Sequence, residues 1–261
     1  MERSHFKRAD AVLDDLGIES PEDLDVEAIA QYCGATVVYE DLRGCEARIL
    51  GYGDRAIIVV NASSPRSRQR FSAGHELGHW MNDRGHASFA CEAAAFVTEW
   101  SSANPEQIAN QYAADLLLPV KLFAPLAKSR PVTFETTREL TARFATSLTA
   151  TTIRLVEYGS FPAMVVCNRS EGRVWFRRGP DVPEVLWPTE KVDRRTVAFD
   201  LLRGEAGPGK AVDLRASAWF ENENASEYLV REDSVKIAEN LVLTLLWWAD
   251  ERQLLDLEDD C

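Results

Sequence analysis

The chain has 261 residues, of which 46% are apolar and 27% are charged, a composition typical of a globular protein with a substantial hydrophobic core. Its formal charge of −13 repels phosphate backbones and argues against a protein whose whole surface binds nucleic acid. The five cysteines are scattered without a CxxC pair, which argues against a disulfide framework or a thiolate zinc site and favours a reducing compartment.

Short helices and strands alternate in the first part of the chain. Apolar spacing predicts a helix over residues 4–17 and a second over Val26–Tyr32, with Asp25 as its N-cap. A plausible hairpin turn at Gly53-Asp54 separates the second and third of three β-rich runs. These runs are Ala35–Tyr39, Cys45–Tyr52 and Arg55–Asn61.

Two longer helices are predicted next, and the pattern then changes. Ser63-Ser64-Pro65 opens a helix that should run to about Met81, and Pro105 and Pro119 bracket another. The remaining predictions are short helices over residues 120–158, strand-like runs within 161–222, and a closing helix from about Ser234 to Leu255.

No segment predicts a membrane protein or a secreted one. The first ten residues, MERSHFKRAD, lack the apolar core of a signal peptide. The longest apolar stretch, Leu241–Ala249, is far short of the roughly 20 residues that a membrane span needs. We therefore expect a cytoplasmic protein with no membrane partner.

Residues 71–80 read FSAGHELGHW and contain the pattern His-Glu-x-x-His. On a helix, His75 and His79 lie one turn apart on one face, so both imidazoles can reach a single metal ion. Zinc prefers such nitrogens, and Glu76, next to the first ligand, can act as the general base on water. The pattern predicts a zinc hydrolase. The alternative is an amphipathic helix with two surface histidines.

A catalytic zinc ion needs a third protein ligand. A metzincin-type histidine is excluded, because residue 85 is glycine and His86 is one position out of register. We favour Glu106, which begins a predicted helix and has Asn110 one turn later to hydrogen-bond a ligand histidine. Asp115 is a second candidate for such a supporting position. Other carboxylates stay open as the ligand, namely Glu99, Glu92 and Asp83.

The segments RFSAGHELGHW and EQIANQYAADLLLP, in this order and spacing, resemble the two motifs of the ImmA/IrrE family of metallopeptidases. Gly74 and Tyr112 depart mildly from the alanine and phenylalanine usual in that family. The resemblance implies that the two histidines and Glu106 bind zinc and that Glu76 is the base. Mn²⁺ or another divalent metal is the alternative ion.

The resemblance also implies a narrow substrate and a partner. Related proteins cleave a helix-turn-helix repressor of the XRE type, which derepresses stress-response or mobile-element genes. The competing interpretation is a non-catalytic transcriptional regulator that binds DNA or a repressor and uses any metal structurally. The presence of Glu76, which a structural site does not need, favours the enzyme.

The resemblance further implies an α+β protein in three parts. Residues 1–125 would form a zincin-like metallopeptidase domain, 126–160 a helix-turn-helix-like region, and 161–261 an α/β domain that resembles a GAF-like sensor. The middle region holds five basic residues against three acidic ones, so DNA binding competes there with a linker or a repressor-docking surface. In the last part, four tryptophans could line a ligand pocket or form core: Trp187, Trp219, Trp247 and Trp248.

Overall fold

Two compact units make up the chain in the structure, a computed structural model that describes residues 7–82, 88–91, 104–207, 209–250 and 252–254. The first unit comprises Met1–Phe123 with Thr141–Ser147, and the second comprises Ala124–Leu140 with Leu148–Cys261. Both units mix helices and sheets, which confirms the α+β class. The three-part division stays a prediction.

The first unit opens with two short helices that the sequence predicted. Helix α1 spans Ala9–Asp15 and α2 spans Val26–Tyr32. The Asp25 side chain accepts hydrogen bonds from the backbone N–H groups of Glu27 and Ala28, as expected of an N-cap. Helix α1 buries Ala9, Val12 and Leu13, and α2 buries Val26, Ile29 and Ala30.

A four-stranded sheet follows, in the order β1-β3-β2-β4 among the described residues. Strand β1 is parallel to β3, whereas β2 is antiparallel to both β3 and β4. The predicted turn between β2 and β3 is confirmed, because Tyr52 pairs with Arg55 and Gly53 has a φ of +61°. The strands are Ala35–Glu40 (β1), Ala47–Tyr52 (β2), Arg55–Asn61 (β3) and Ser88–Cys91 (β4).

The two longer predicted helices are present as α3, Arg66–Asn82, and α4, Pro105–Leu117. Helix α3 is buried over most of its last two and a half turns, because it lies in the core of the unit. Trp80 is fully buried and its indole N–H donates to the Cys33 carbonyl at 3.0 Å. Asn104 is the N-cap of α4, and its side chain accepts from the Glu106 N–H at 3.0 Å.

The short helices predicted between residues 120 and 158 are α5, α6 and α7. They span Val120–Ala127, Phe134–Phe144 and Leu148–Tyr158. Three residues connect α6 to α7, and Ala145 has a φ of +52° in this tight turn. The connection length is that of a helix-turn-helix.

The second unit holds a sheet in the order β6-β5-β9-β8-β7 among the described residues, with antiparallel neighbours throughout. A short helix, α8, spans Val197–Leu202. The strands are Ala163–Arg169 (β5), Gly172–Arg178 (β6), Val212–Arg215 (β7), Leu229–Ala238 (β8) and Leu241–Trp247 (β9).

The predicted closing helix over Ser234–Leu255 is wrong, because this stretch contains the end of β8 and all of β9. Strand β9 lies between β5 and β8, and its residues from Val242 to Trp247 are all buried. A central strand that is covered on both faces is apolar along most of its length, so it lacks the alternation that identifies a strand.

The tryptophans of this unit divide between core and surface. Trp219 and Trp248 are fully buried in the apolar core, and Trp247 is 4% exposed. Trp187 is 58% exposed and lines a surface cleft of about 380 Å³ together with Arg173 and Glu190. The core alternative therefore holds for three of the four, and the GAF-like sensor stays a prediction.

Two consecutive carboxylates on β8 contact helix starts on opposite faces of this sheet. Glu232 is fully buried and accepts from the Ala198 N–H at 2.8 Å and the Trp219 indole N–H at 3.1 Å. Asp233 points the other way and accepts from the Phe134 N–H, at the first residue of α6, at 2.7 Å. Burial raises the pKa of both carboxyl groups.

A membrane-spanning helix, long and apolar enough to cross a bilayer, is not found among the described residues.

Candidate metal centre

The two motif histidines project from one face of α3 into the interior of the first unit. His75 is fully buried and His79 is 1% exposed. Their rings meet edge to face with centroids 4.7 Å apart, and the two Nε2 atoms are 3.1 Å apart. The one-turn spacing read from the sequence therefore brings both nitrogens to one point.

Helix α4 brings a carboxylate to the same point. The Glu106 oxygens lie 3.2 Å from His75 Nε2 and 3.3 Å from His79 Nε2, and this side chain is 31% exposed. Among the described residues, His75, His79 and Glu106 form the group of side chains that could hold a metal ion.

The spacing of these atoms fits a zinc site. Ligand atoms at about 2.0–2.1 Å from a tetrahedral zinc ion lie about 3.3–3.4 Å from one another. The two Nε2 atoms are 3.1 Å apart, and each lies 3.2 or 3.3 Å from a different one of the two Glu106 oxygens. Two imidazoles and one carboxylate are also the donor set of one class of catalytic zinc site, which keeps a further position for water.

Asn110, one turn after Glu106, contacts the first histidine. Its Oδ1 atom lies 2.9 Å from His75 Nδ1, so Nδ1 carries the proton and the Nε2 lone pair faces Glu106. Burial, reinforced by the neighbouring His79 ring, lowers the pKa of His75 to about 4. The imidazole is therefore neutral at neutral pH, which is the form that binds a metal.

Removing the Asn110 amide should weaken zinc binding. We expect Asn110→Ala to lower zinc affinity by about 10–100-fold, because His75 then loses the partner that fixes its tautomer and ring orientation. Competition with a chromophoric chelator measures the change. Asn110→Asp keeps an acceptor oxygen and should retain most of the affinity. Equal zinc affinity in the alanine variant and the wild type would contradict this role for Asn110.

The other candidate residues lie in different settings. Glu76 is fully buried on α3, between the two histidines in sequence. Asp115 lies about two and a half turns beyond Glu106 on α4 and accepts a hydrogen bond from Gln111 Nε2 at 2.9 Å. The ligand alternatives Glu99, Glu92 and Asp83 lie outside the described residues, as does His86.

Arg70 anchors α3. Its buried Nη2 atom donates to the Leu24 carbonyl at 2.9 Å, immediately before the N-cap of α2. This hydrogen bond holds α3 against the start of α2.

Sequence reasoning missed how small residues bring α3 and α4 together. Gly78 faces Ala109 and Gly74 faces Ala113, so two small residues four apart on one helix meet two on the other. The sequence carries this spacing of four in both helices. Each glycine stands one position before a histidine, and Ala109 and Ala113 stand three and seven positions after Glu106.

An HExxH helix joined by a carboxylate from a later helix, beside a small mixed sheet, is the arrangement of a zincin-like fold. Residues 30–156 match the family model Peptidase_M78, described as the IrrE N-terminal-like domain. This match confirms the resemblance read from the two motifs.

Among solved structures, the chain is similar to a Mycobacterium tuberculosis transcriptional regulator. The two are 13% identical, with a TM-score of 0.57, and the match covers 91% of this chain and 73% of that one. At this identity the likeness concerns the fold alone. No curated protein matches the sequence.

Proposed function

We propose that the protein is a zinc-dependent endopeptidase that hydrolyses a peptide bond in a specific regulatory protein. The observation that carries the proposal is that the Glu106 carboxylate of α4 lies 3.2 and 3.3 Å from two buried imidazoles of α3, the helix that also bears Glu76. A purely structural metal site has no use for a buried carboxylate beside its first ligand.

The residues of the chain divide the chemistry between them. Zinc, when bound by His75, His79 and Glu106, supplies a Lewis acid that polarises the scissile carbonyl and makes water more acidic. Glu76 takes the proton from the attacking water and passes it to the leaving amine. Asn110 holds the His75 ring in the orientation that binding requires.

We propose an XRE-type helix-turn-helix repressor as the substrate, whose cleavage derepresses stress-response or mobile-element genes. The support is that residues 30–156 match a family model described as the IrrE N-terminal-like domain. The two sequence motifs also resemble those of regulatory peptidases of that type. A small repressor encoded beside this gene would be the first candidate to test.

Co-incubation with that repressor tests the proposal. The zinc-loaded protein should cut the repressor at one site, as seen by gel and intact-mass measurement, and a chelator should stop the reaction. Elemental mass spectrometry of the purified protein should give one zinc per chain. Cleavage that continues after complete metal removal would contradict the proposal.

The alternative function is a non-catalytic regulator that binds DNA or a repressor with a structural metal. The observation in its favour is the tight α6–α7 turn. Helix α7, the counterpart of a recognition helix, buries five of its eleven residues, namely Thr151, Thr152, Arg154, Leu155 and Val156. Groove recognition needs such side chains exposed, and DNA binding is therefore the weaker candidate.

A further inference from the structure

The contact between α3 and α4 runs in two adjacent rows. In one row, Gly78 meets Ala109 and Gly74 meets Ala113. In the other, His79 lies against Glu106 and His75 against Asn110. Both rows advance by four residues on each helix, in opposite directions, as expected where helices pack antiparallel through rows spaced by four. The row of small residues and the row of metal-site residues therefore share one register.

The two glycines differ in how much space they leave. A Cβ atom added at Gly78 would lie 2.9 Å from Ala109 Cα, 3.0 Å from the Ala109 carbonyl oxygen and 3.0 Å from Tyr112 Cβ. Most of these atoms are backbone, so a side chain there could be accommodated only if α4 moved away. A Cβ atom at Gly74 would lie 3.4 Å from Ala113 Cα and Cβ, which is close to ordinary contact.

The ligand atoms cannot follow such a movement without loss. His75 and His79 are buried on α3, whereas Glu106 comes from the first turn of α4, three residues before Ala109. Any increase in the distance between the helices at Ala109 lengthens the separations of 3.2 and 3.3 Å between Glu106 and the histidines. Metal coordination tolerates deviations of only about 0.2 Å.

We propose that Gly78 is a positioning residue, whose missing side chain sets the distance between α3 and α4 and so brings Glu106 into the metal site. This inference rests on the proposed function, because it assumes that the three residues bind zinc. Gly78 touches neither metal nor substrate in this role. It acts through the position of α4.

Alanine substitutions at the two glycines form a matched pair. Both replace a helix-interior glycine with a better helix former, so propensity alone favours both variants. We expect Gly74→Ala to bind zinc like the wild type. Gly78→Ala should bind zinc at least about tenfold more weakly, the smallest loss typical when the support of a metal ligand is disturbed. Competition with a chromophoric chelator measures affinity, and far-UV circular dichroism of the zinc-free proteins shows whether the helices are retained.

Gly74→Val keeps the test decisive if Gly78→Ala does not fold. Valine adds two further carbons to a Cβ that would already lie 3.4 Å from Ala113. It should therefore also push α4 away, by less than Gly78→Ala does, and lower zinc affinity. Wild-type affinity in folded Gly78→Ala, or in Gly74→Val when Gly78→Ala is unfolded, would overturn the inference. Failure of the wild type itself to bind zinc would instead refute the proposed metal site.

Discussion

Replacing Glu76 with glutamine is expected to abolish detectable peptide hydrolysis while the protein still binds zinc. Glutamine has nearly the same shape as glutamate and fits the same buried position, but it cannot accept the proton of the attacking water. General-base catalysis typically contributes about 10²–10⁴-fold to the rate. Zinc should remain bound because the nitrogen and oxygen atoms that meet at the site come from His75, His79 and Glu106.

Two measurements are needed together for this variant. Elemental mass spectrometry gives the zinc content, and a time course of repressor cleavage gives the rate. Glu19→Gln, at an exposed position outside the helices, is the control and should cleave at the wild-type rate. Unchanged cleavage by Glu76→Gln would eliminate this carboxylate as the base, and loss of zinc from it would show that Glu76 supports the site structurally.

Replacing Glu106 with glutamine is expected to remove zinc and activity together. A neutral amide is a poor zinc ligand, and the two remaining histidines bind the ion much more weakly, so affinity should fall by more than the roughly 100-fold that loss of a supporting group can cost. The fold should survive, because the Asn104 cap uses the backbone N–H of residue 106 and not its side chain.

Glu99→Gln is the matched control, since Glu99 is an alternative third ligand by sequence spacing. It should keep zinc and activity. Circular dichroism and chelator competition on both variants separate a folding defect from a ligand defect. If Glu99→Gln loses the metal and Glu106→Gln retains it, the third ligand is Glu99, and Glu106 of α4 is not a zinc ligand.

The parts of the site that the sequence predicted are those fixed by local geometry. The spacing of His75 and His79 determines that both face one side of α3, whatever surrounds the helix. The position of Asn110 one turn after Glu106 likewise puts both side chains on one face of α4. The remaining question was which carboxylate completes the site with the two histidines, and the resemblance to the family motifs favoured Glu106 on α4.

The distance between those helices could not be predicted by the same reasoning. Spacing shows which residues share a face, but the separation of α3 and α4 depends on which backbone atoms meet. Gly78 is an unremarkable residue of the motif until Ala109 is found opposite it. Packing of this kind is decided by tertiary contacts, for which the sequence of one helix carries only an indirect signal.

The error in the second unit has a different cause. The run from Leu241 to Trp248 contains leucine, valine and tryptophan without alternation, and a buried helix would show the same composition. Only the neighbours β5 and β8, one of them far away in the chain, make it a strand. The amino-terminal strands were predicted correctly because the Gly53-Asp54 turn and short β-branched runs mark them locally.

The adjacent carboxylates of β8 have a consequence for misfolding. Successive side chains of a strand point to opposite faces, so a slip of one residue would exchange the surroundings of Glu232 and Asp233. Each carboxylate would then leave the backbone N–H that it now binds, at Ala198 or Phe134, and both would lose these partners at once. A sheet with β8 out of register should therefore lose hydrogen bonds on both of its faces at the same time. This loss favours a single register of β8 when the sheet forms.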